Sequence, residues 1–337
     1  MLITPVALLP VLVFLLALVL ADSFKLVSKP MLARALAAGG LAAVAATWLH
    51  SWLFDVTNLD LKPFARYVAP VTEETLKALF LVYALWRRQI GFLVDAAIIG
   101  FAIGAGFSTV ENIEYLRTLT STNIWLWVVR GFGTAMLHAG TTAIIAITAK
   151  ALIDRSPQRG PAALLPGWAA AVLLHSAFNH ANLAPQLSAA VMMIVLPPIV
   201  LVVFDRSERR TREWVGDGLD LDIELLQLVK SSHFGATRLG RYLNELKSRF
   251  PGPVVADMFC LLQLDLELSI RARGMLMARE EGVDLPADAT LVAQLDERAY
   301  LEKSIGRTGL LALRPLQVTG DSDEWHQFLL RQSRRIT

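Results

Sequence analysis

The chain has 337 residues, 54% of them hydrophobic, and a mean hydropathy of +0.48, which is too apolar for an ordinary soluble domain. A net charge of +2 gives no electrostatic footprint for nucleic acid, so a nucleic-acid partner is not expected. The single cysteine, Cys260, excludes an internal disulfide and a cysteine-built metal cage.

Charge is unevenly spread. Residues 1–204 carry 22 charged side chains and the last 133 residues carry 40. This divides the chain into a transmembrane domain, 1–204, and a soluble domain, 205–337. The first 21 residues lack the basic start of a secretory signal peptide, so they are expected to stay as a first span.

A span needs roughly 20 mostly apolar residues. Seven candidates follow in order, at about 3–21, 32–52, 68–86, 92–116, 128–152, 162–182 and 186–204. Trp48, Trp52, Trp86, Trp125, Trp127 and Trp168 fall near their ends, as an interfacial aromatic belt requires. Gly100 and Gly104 form a GxxxG in the fourth span, best explained by close helix packing.

Basic residues alternate between connections. Lys25, Lys29, Arg34, Arg87, Arg88, Lys150, Arg155, Arg159, Arg206, Arg209, Arg210 and Arg212 fall on one side. Only Lys62, Arg66, Arg117 and Arg130 fall on the other. The positive-inside bias therefore predicts an external N-terminus and a cytoplasmic C-terminal domain. Beyond 205, apolar residues recur at helical spacing in 221–231, 237–250, 254–279, 288–304 and 323–332, with breaks at Pro251-Gly252-Pro253 and Leu285-Pro286. The expected fold class is all-α, a polytopic membrane bundle of about seven spans followed by a helical cytoplasmic domain. That second domain carries no recognisable catalytic motif and reads as an accessory.

The spans contain ionisable groups that lipid does not tolerate. A charge at mid-bilayer costs about 2.5–3.5 kcal/mol on insertion scales. The third span nonetheless holds Glu73, Glu74 and Lys77, and the fourth holds Glu111 followed by Asn112. The fifth holds His138, and the sixth holds His175, Asn179 and His180. Glu73 and Glu74 stand four and three residues before Lys77, so either can pair with it on one helix face. His175 and Asn179 share a face of another helix. With the predicted orientation, these residues reach one depth in the extracytoplasmic half. His180, Glu114 and Asp95 lie near span ends and read as interfacial. His50, beside Trp48 and Trp52, is assigned no role.

A carboxylate and a histidine together can activate water, and a histidine or asparagine can steady a developing oxyanion. That set suits amide hydrolysis in or beside the bilayer. No H-E-x-x-H or G-x-S-x-G motif is present, and Cys260 lies outside the spans. A proton-coupled transporter using the Glu/His cluster as a relay is the competing reading, although no internal repeat is visible. A membrane scaffold or receptor is a third.

The residues also match a known order. Glu73-Glu74-Thr75-Leu76-Lys77 gives EExxK, Phe107 to Asn112 gives FxxxEN, His138 follows, and His175 to Asn179 gives HxxxN. Over residues 68–182 this order resembles the PrsW family of bacterial membrane proteases, kin of the CAAX prenyl proteases and bacteriocin-processing enzymes. The resemblance implies a glutamate-dependent intramembrane endopeptidase. Glu73 or Glu74 would supply the water-activating carboxylate, with Glu73 preferred. His138 and His175 would assist, Asn179 would hold the oxyanion, and Lys77, Phe107 and Asn112 would support them. The wider superfamily usually ends the second motif in histidine, where this chain has Glu111, so Glu111 joins the catalytic set without an assigned step. No cofactor is expected. Should a divalent metal such as zinc be used, Glu74, Glu111, His138 and His175 are its candidate ligands. The implied partner is a membrane-anchored single-span protein in the lipid bilayer, such as an anti-sigma factor cut at site 1.

Overall fold

A computed structural model describes residues 3–87, 89–119, 121–180, 185–313, 315, 326 and 328–330, without the side chains of 157–159, 185, 188 and 196. Arg88, the end of the sixth expected span at 181–182 and most of the expected helix at 323–332 lie outside the described residues, as does the Arg159 side chain. The described residues are mostly helical, with no strand among them. They fall into two compact units, Met1–Glu208 and Arg209–Thr337.

In the first unit, helix α1 spans Ile3–Ala21 and α2 spans Lys29–Thr57. Ser28 starts α2: its hydroxyl accepts from the Met31 N–H at 3.4 Å, and Pro30 occupies the first turn, where a missing N–H costs nothing. Asn58, left-handed at φ 51°, ends it. A single turn, α3 (Leu61–Pro63), leads through a π-turn at Phe64–Val68 into α4 (Ala69–Trp86). Next come α5 (Leu93–Thr118) and the short α6 (Ile124–Val128). A second π-turn, Val129–Thr134, opens α7 (Ala135–Arg155). A 3-10 segment at Pro157–Leu164 precedes α8 (Leu165–His180), and α9 (Pro185–Lys230) begins in this unit and ends in the second.

Six helices among the described residues are long and apolar enough to cross a membrane. The remaining expected span is α4, whose 18 residues include Glu73, Glu74 and Lys77 on its buried face. A multi-pass membrane protein follows from these helices. Their burial is graded. The apolar window of α5 is 83% buried and that of α1 only 22%, so α5 is the hub and α1 faces outward. Small residues set the spacing at the hub. A Cβ at Gly104 would collide with the His138 carbonyl, and one at Gly100 would lie 2.8 Å from Ala143 Cα. The GxxxG is therefore the packing seam between α5 and α7, as its sequence suggested.

α9 does not stop near 204, where the apolar run ends. Residues 205–214 are rich in arginine and glutamate, good helix formers that carry the helix into the polar segment. In the second unit, α10 (Arg238–Leu246), α11 (Gly252–Glu280) and α12 (Ala289–Leu313) follow the expected breaks. Their core includes Leu243, Met258, Leu268, Leu276, Leu291 and Leu301, with a buried Arg273–Asp222 ion pair covered by Trp214.

Candidate active site

Four helices bring polar side chains together inside the first unit. α4 supplies Glu73, Glu74 and Lys77; α5 supplies Glu111; α7 supplies His138; and α8 supplies His175. Glu74, Lys77 and His138 are at most 1% exposed, and His175 is 4% exposed, so none is a solvated surface charge.

The adjacent glutamates are held very differently. Glu74 Oε1 accepts from Lys77 Nζ at 2.7 Å and from His175 Nδ1 at 2.9 Å. The Thr141 hydroxyl lies 3.4 Å from both Glu74 oxygens. Glu74 is thus saturated. Glu73 is buried too, yet its Oε2 has no hydrogen-bond partner among the described residues. That oxygen faces His138 Nδ1 and His175 Nε2, each at 3.9 Å. These gaps are too long for direct hydrogen bonds, but one small group can touch all three atoms at once.

Hydrogen bonding assigns the two imidazoles. A carboxylate only accepts, so His175 donates through Nδ1 to Glu74 and presents a lone pair on Nε2 toward Glu73. Lys77 Nζ only donates and lies 3.2 Å from His138 Nδ1. His138 therefore carries its proton on Nε2, which sits 3.2 Å from Glu111 Oε2. His175 aims a free lone pair at the Glu73 carboxylate, while the His138 Nδ1 that faces the same oxygen also accepts from Lys77. The His138 and His175 rings meet edge to face at 5.0 Å.

Glu73, His138 and His175 each offer one ligand atom, and the three atoms lie within 4.8 Å of one another. Three protein ligands of Glu and His type, with a fourth position left for water, form a recurrent catalytic metal site. The orphaned Glu73 oxygen and the free His175 Nε2 fit that requirement, and His138 Nδ1 joins them where Lys77 gives up its contact. The Glu74–His175 bond matches the carboxylate–histidine support that metal-binding imidazoles usually have. This trio differs from the set expected from sequence: His138 and His175 are shared, but Glu73 replaces Glu74 and Glu111, which hold the two histidines from behind.

The remaining motif residues frame the site. Phe107 packs on the His138 ring at 4.9 Å and lies 5.1 Å from Lys77 Nζ. Asn112 donates to the Ala7 carbonyl at 2.8 Å, tying α5 to α1. Asn179 donates to the Ala65 carbonyl at 2.8 Å, and Ser176 to the Arg66 carbonyl at 2.7 Å. Both carbonyls belong to the π-turn before α4, so α8 braces the turn that sets the angle of Glu73 and Glu74. His180 stays apart, hydrogen-bonded to Ser176 and meeting Tyr67 edge to face.

Two residues that the sequence reading left outside the site stand beside it. His50, from α2, places Nε2 2.7 Å from the Thr72 hydroxyl and Nδ1 4.0 Å from Glu73 Oε1. Arg130, on the second π-turn, lies 3.2 Å from Glu111. Both sit near span ends, where a polar residue has an adequate interfacial explanation, so spacing alone gives no signal.

A model of the PrsW family, described as intramembrane metalloproteases, matches residues 27–204. No curated protein and no solved structure matches the chain. The match covers more than half of the chain and takes in the four helices that build this polar centre, and the chain therefore belongs to the PrsW family of intramembrane proteases.

Proposed function

We propose that the protein hydrolyses a peptide bond of a membrane-anchored, single-span protein, with Glu73, His138 and His175 as its reacting centre. The observation that carries this reading is the contrast between the two neighbouring glutamates. Glu74 is fully bonded, while Glu73 turns an unbonded oxygen toward two imidazole nitrogens. A buried acceptor left unsatisfied costs about 1–3 kcal/mol. That cost is offset when a reacting water or ion completes the group.

Glu73 accepts the proton of the attacking water. His175 orients that water through its Nε2 lone pair with His138 beside it, and the proton taken up by Glu73 passes to the leaving amine. Glu74 fixes the tautomer and tilt of His175, and Lys77 keeps the charge of Glu74 balanced within the apolar interior. Asn179 holds the π-turn through one N–H, and its second N–H remains the candidate oxyanion donor. Glu73, His138 and His175 are also the residues that would hold a divalent ion such as zinc. When bound, such an ion supplies Lewis-acid polarisation and a more acidic water.

The charge bias supports an external N-terminus and a cytoplasmic C-terminal domain, and hence a centre in the extracytoplasmic half. A cut there suits site-1 processing of an anti-sigma factor or a similar single-span protein. The described residues of 205–337 carry no such polar centre, and we read this region as an accessory domain.

The test follows a tagged single-span substrate in membranes holding wild type, Glu73→Gln or His175→Ala. Cleavage is expected to fall about 10²–10⁴-fold in each variant at equal protein level. Cleavage at the wild-type rate in both would refute the assignment.

A further inference from the structure

We infer that the substrate reaches Glu73 sideways, as an unwound stretch of a single-span protein that passes between the C-terminal halves of α2 and α5. His50 and Glu111 flank the opening. The inference rests on reading Glu73, His138 and His175 as the reacting centre of a peptidase.

α2 and α5 first pack tightly. A Cβ at Gly39 would lie 1.8 Å from the Ile103 carbonyl oxygen, and one at Gly106 would lie 2.0 Å from that of Leu36. One at Gly40 would still touch Val110, at 3.0 Å. Thr47 stands two turns beyond Gly40 on the same face of α2, and Glu114 one turn beyond Val110 on α5. Both are exposed, so the helices have parted there. Each leans on a different neighbour. α2 turns to the start of α4: His50 Nε2 lies 2.7 Å from the Thr72 hydroxyl, and the Phe54 and Phe64 rings meet at 5.3 Å. α5 turns to α1 and the second π-turn, through Asn112 on the Ala7 carbonyl and Glu111 beside Arg130.

The gap leads to the reacting centre. His50 Nδ1 lies 4.0 Å from Glu73 Oε1, and Glu111 Oε2 lies 3.2 Å from His138 Nε2. The side chains of His50 and Glu111 are 21% and 23% exposed, Glu73 is 11% exposed, and Glu74, Lys77, His138 and His175 are 5% exposed or less. Exposure thus falls inward from this opening. Neighbouring seams are shut. Gly100 and Gly104 seat α5 on α7, and the Trp168 N–H donates to the Thr75 hydroxyl at 3.1 Å between α8 and α4.

The recess of Glu73 decides the form of the occupant. A helix is about 10–12 Å across with its side chains, while its Cα atoms lie only about 2.3 Å from the axis. An intact helix against the opening therefore presents side chains and holds its carbonyls away. Attack needs the reacting atoms about 3–3.5 Å apart. The backbone must leave the helix and enter the gap.

The experiment uses the full chain in liposomes with a tagged single-span protein. p-Benzoylphenylalanine replaces Thr47 or Glu114 at the opening, or Val13, Leu79 or Leu173 on exposed faces of α1, α4 and α8 as controls. Photolysis is expected to capture the single-span protein from Thr47 and Glu114, at residues next to the cut, and not from the controls. A second arm starts from Cys260→Ser, which removes the only cysteine, adds Thr47→Cys with Glu114→Cys, and joins them with a flexible bis-maleimide. Cleavage is expected to be lost in the bridged protein and kept in each single-cysteine protein treated alike. Capture from the controls alone, capture from no position while wild type cleaves, or full cleavage by the bridged protein overturns the inference. If the bridge does not form, capture decides. Should wild type cleave nothing, the hydrolytic reading fails; capture from Thr47 and Glu114 then still upholds the opening, and its absence there overturns it.

Discussion

Asp95 and Glu111 are carboxylates at opposite ends of α5, and they are held in opposite ways. Asp95, in the first turn, accepts from the backbone N–H groups of Gly91 at 2.8 Å and Phe92 at 3.3 Å. Nearby Asp22 does the same with Leu26 at 2.7 Å and Val27 at 3.4 Å. Glu111 instead meets Arg130 and His138, side chains from a different part of the chain. An acid fixed by local amides closes a helix start or a turn. Acids fixed by side chains of other helices hold those helices in register and present chemistry. The first kind belongs to the fold, and the second kind to the site.

Substitutions can break or sharpen this division. The largest change in stability is expected for Lys77→Met. Lys77 and Glu74 are both wholly buried, and removing one partner strands the other's charge. Loss of a buried partner costs about 3–5 kcal/mol. Thermal unfolding in micelles measures this, and replacing both residues by neutral ones should cost clearly less. If the double replacement is the more destabilising, the pair is not the electrostatic unit described.

Asp95→Ala is a smaller perturbation of the other kind. Loss of a helix-start cap costs about 1 kcal/mol. Unfolding should shift down by that amount, while cleavage per folded molecule stays at the wild-type level. A large loss of specific activity would show that the first turn of α5 communicates with the site.

A further effect concerns pH. Burial, and then the charge of Asp95, push the Asp22 carboxyl up to about 7, opposed by the Leu26 and Val27 amides. An unfolded aspartate titrates near about 3.9. Between these values the folded chain binds the extra proton, so stability falls as pH rises from about 4 to about 7 and levels off above. Asp22→Asn should remove this slope. Parallel curves of unfolding temperature against pH for the two proteins would contradict it.

Much of this was legible in the sequence, and the reasons differ by feature. Apolar runs reported the helices because lipid-facing segments have no other way to satisfy their backbone. Spacing put Lys77 within reach of both glutamates, but only the packing of α8 shows that Glu74 takes it and Glu73 is left facing the histidines. The two π-turns were invisible, since one wide turn has no compositional mark. They alter side-chain phase just before Glu73 and His138. Arg130 was hidden for a related reason: it sits on such a turn and looks like an interfacial charge. Asn179 was found from its motif, yet its bond to the Ala65 carbonyl depends on that same irregular backbone.

The central claim is that Glu73, and not its neighbour alone, works with His138 and His175. The most direct measurement compares purified wild type and Glu73→Gln in liposomes with a single-span substrate, reading cleavage rate and bound divalent metal in the same samples. The account predicts that Glu73→Gln folds and inserts normally, cleaves about 10²–10⁴-fold more slowly and retains less metal wherever wild type retains any. A Glu73→Gln protein with wild-type cleavage and wild-type metal content would contradict it.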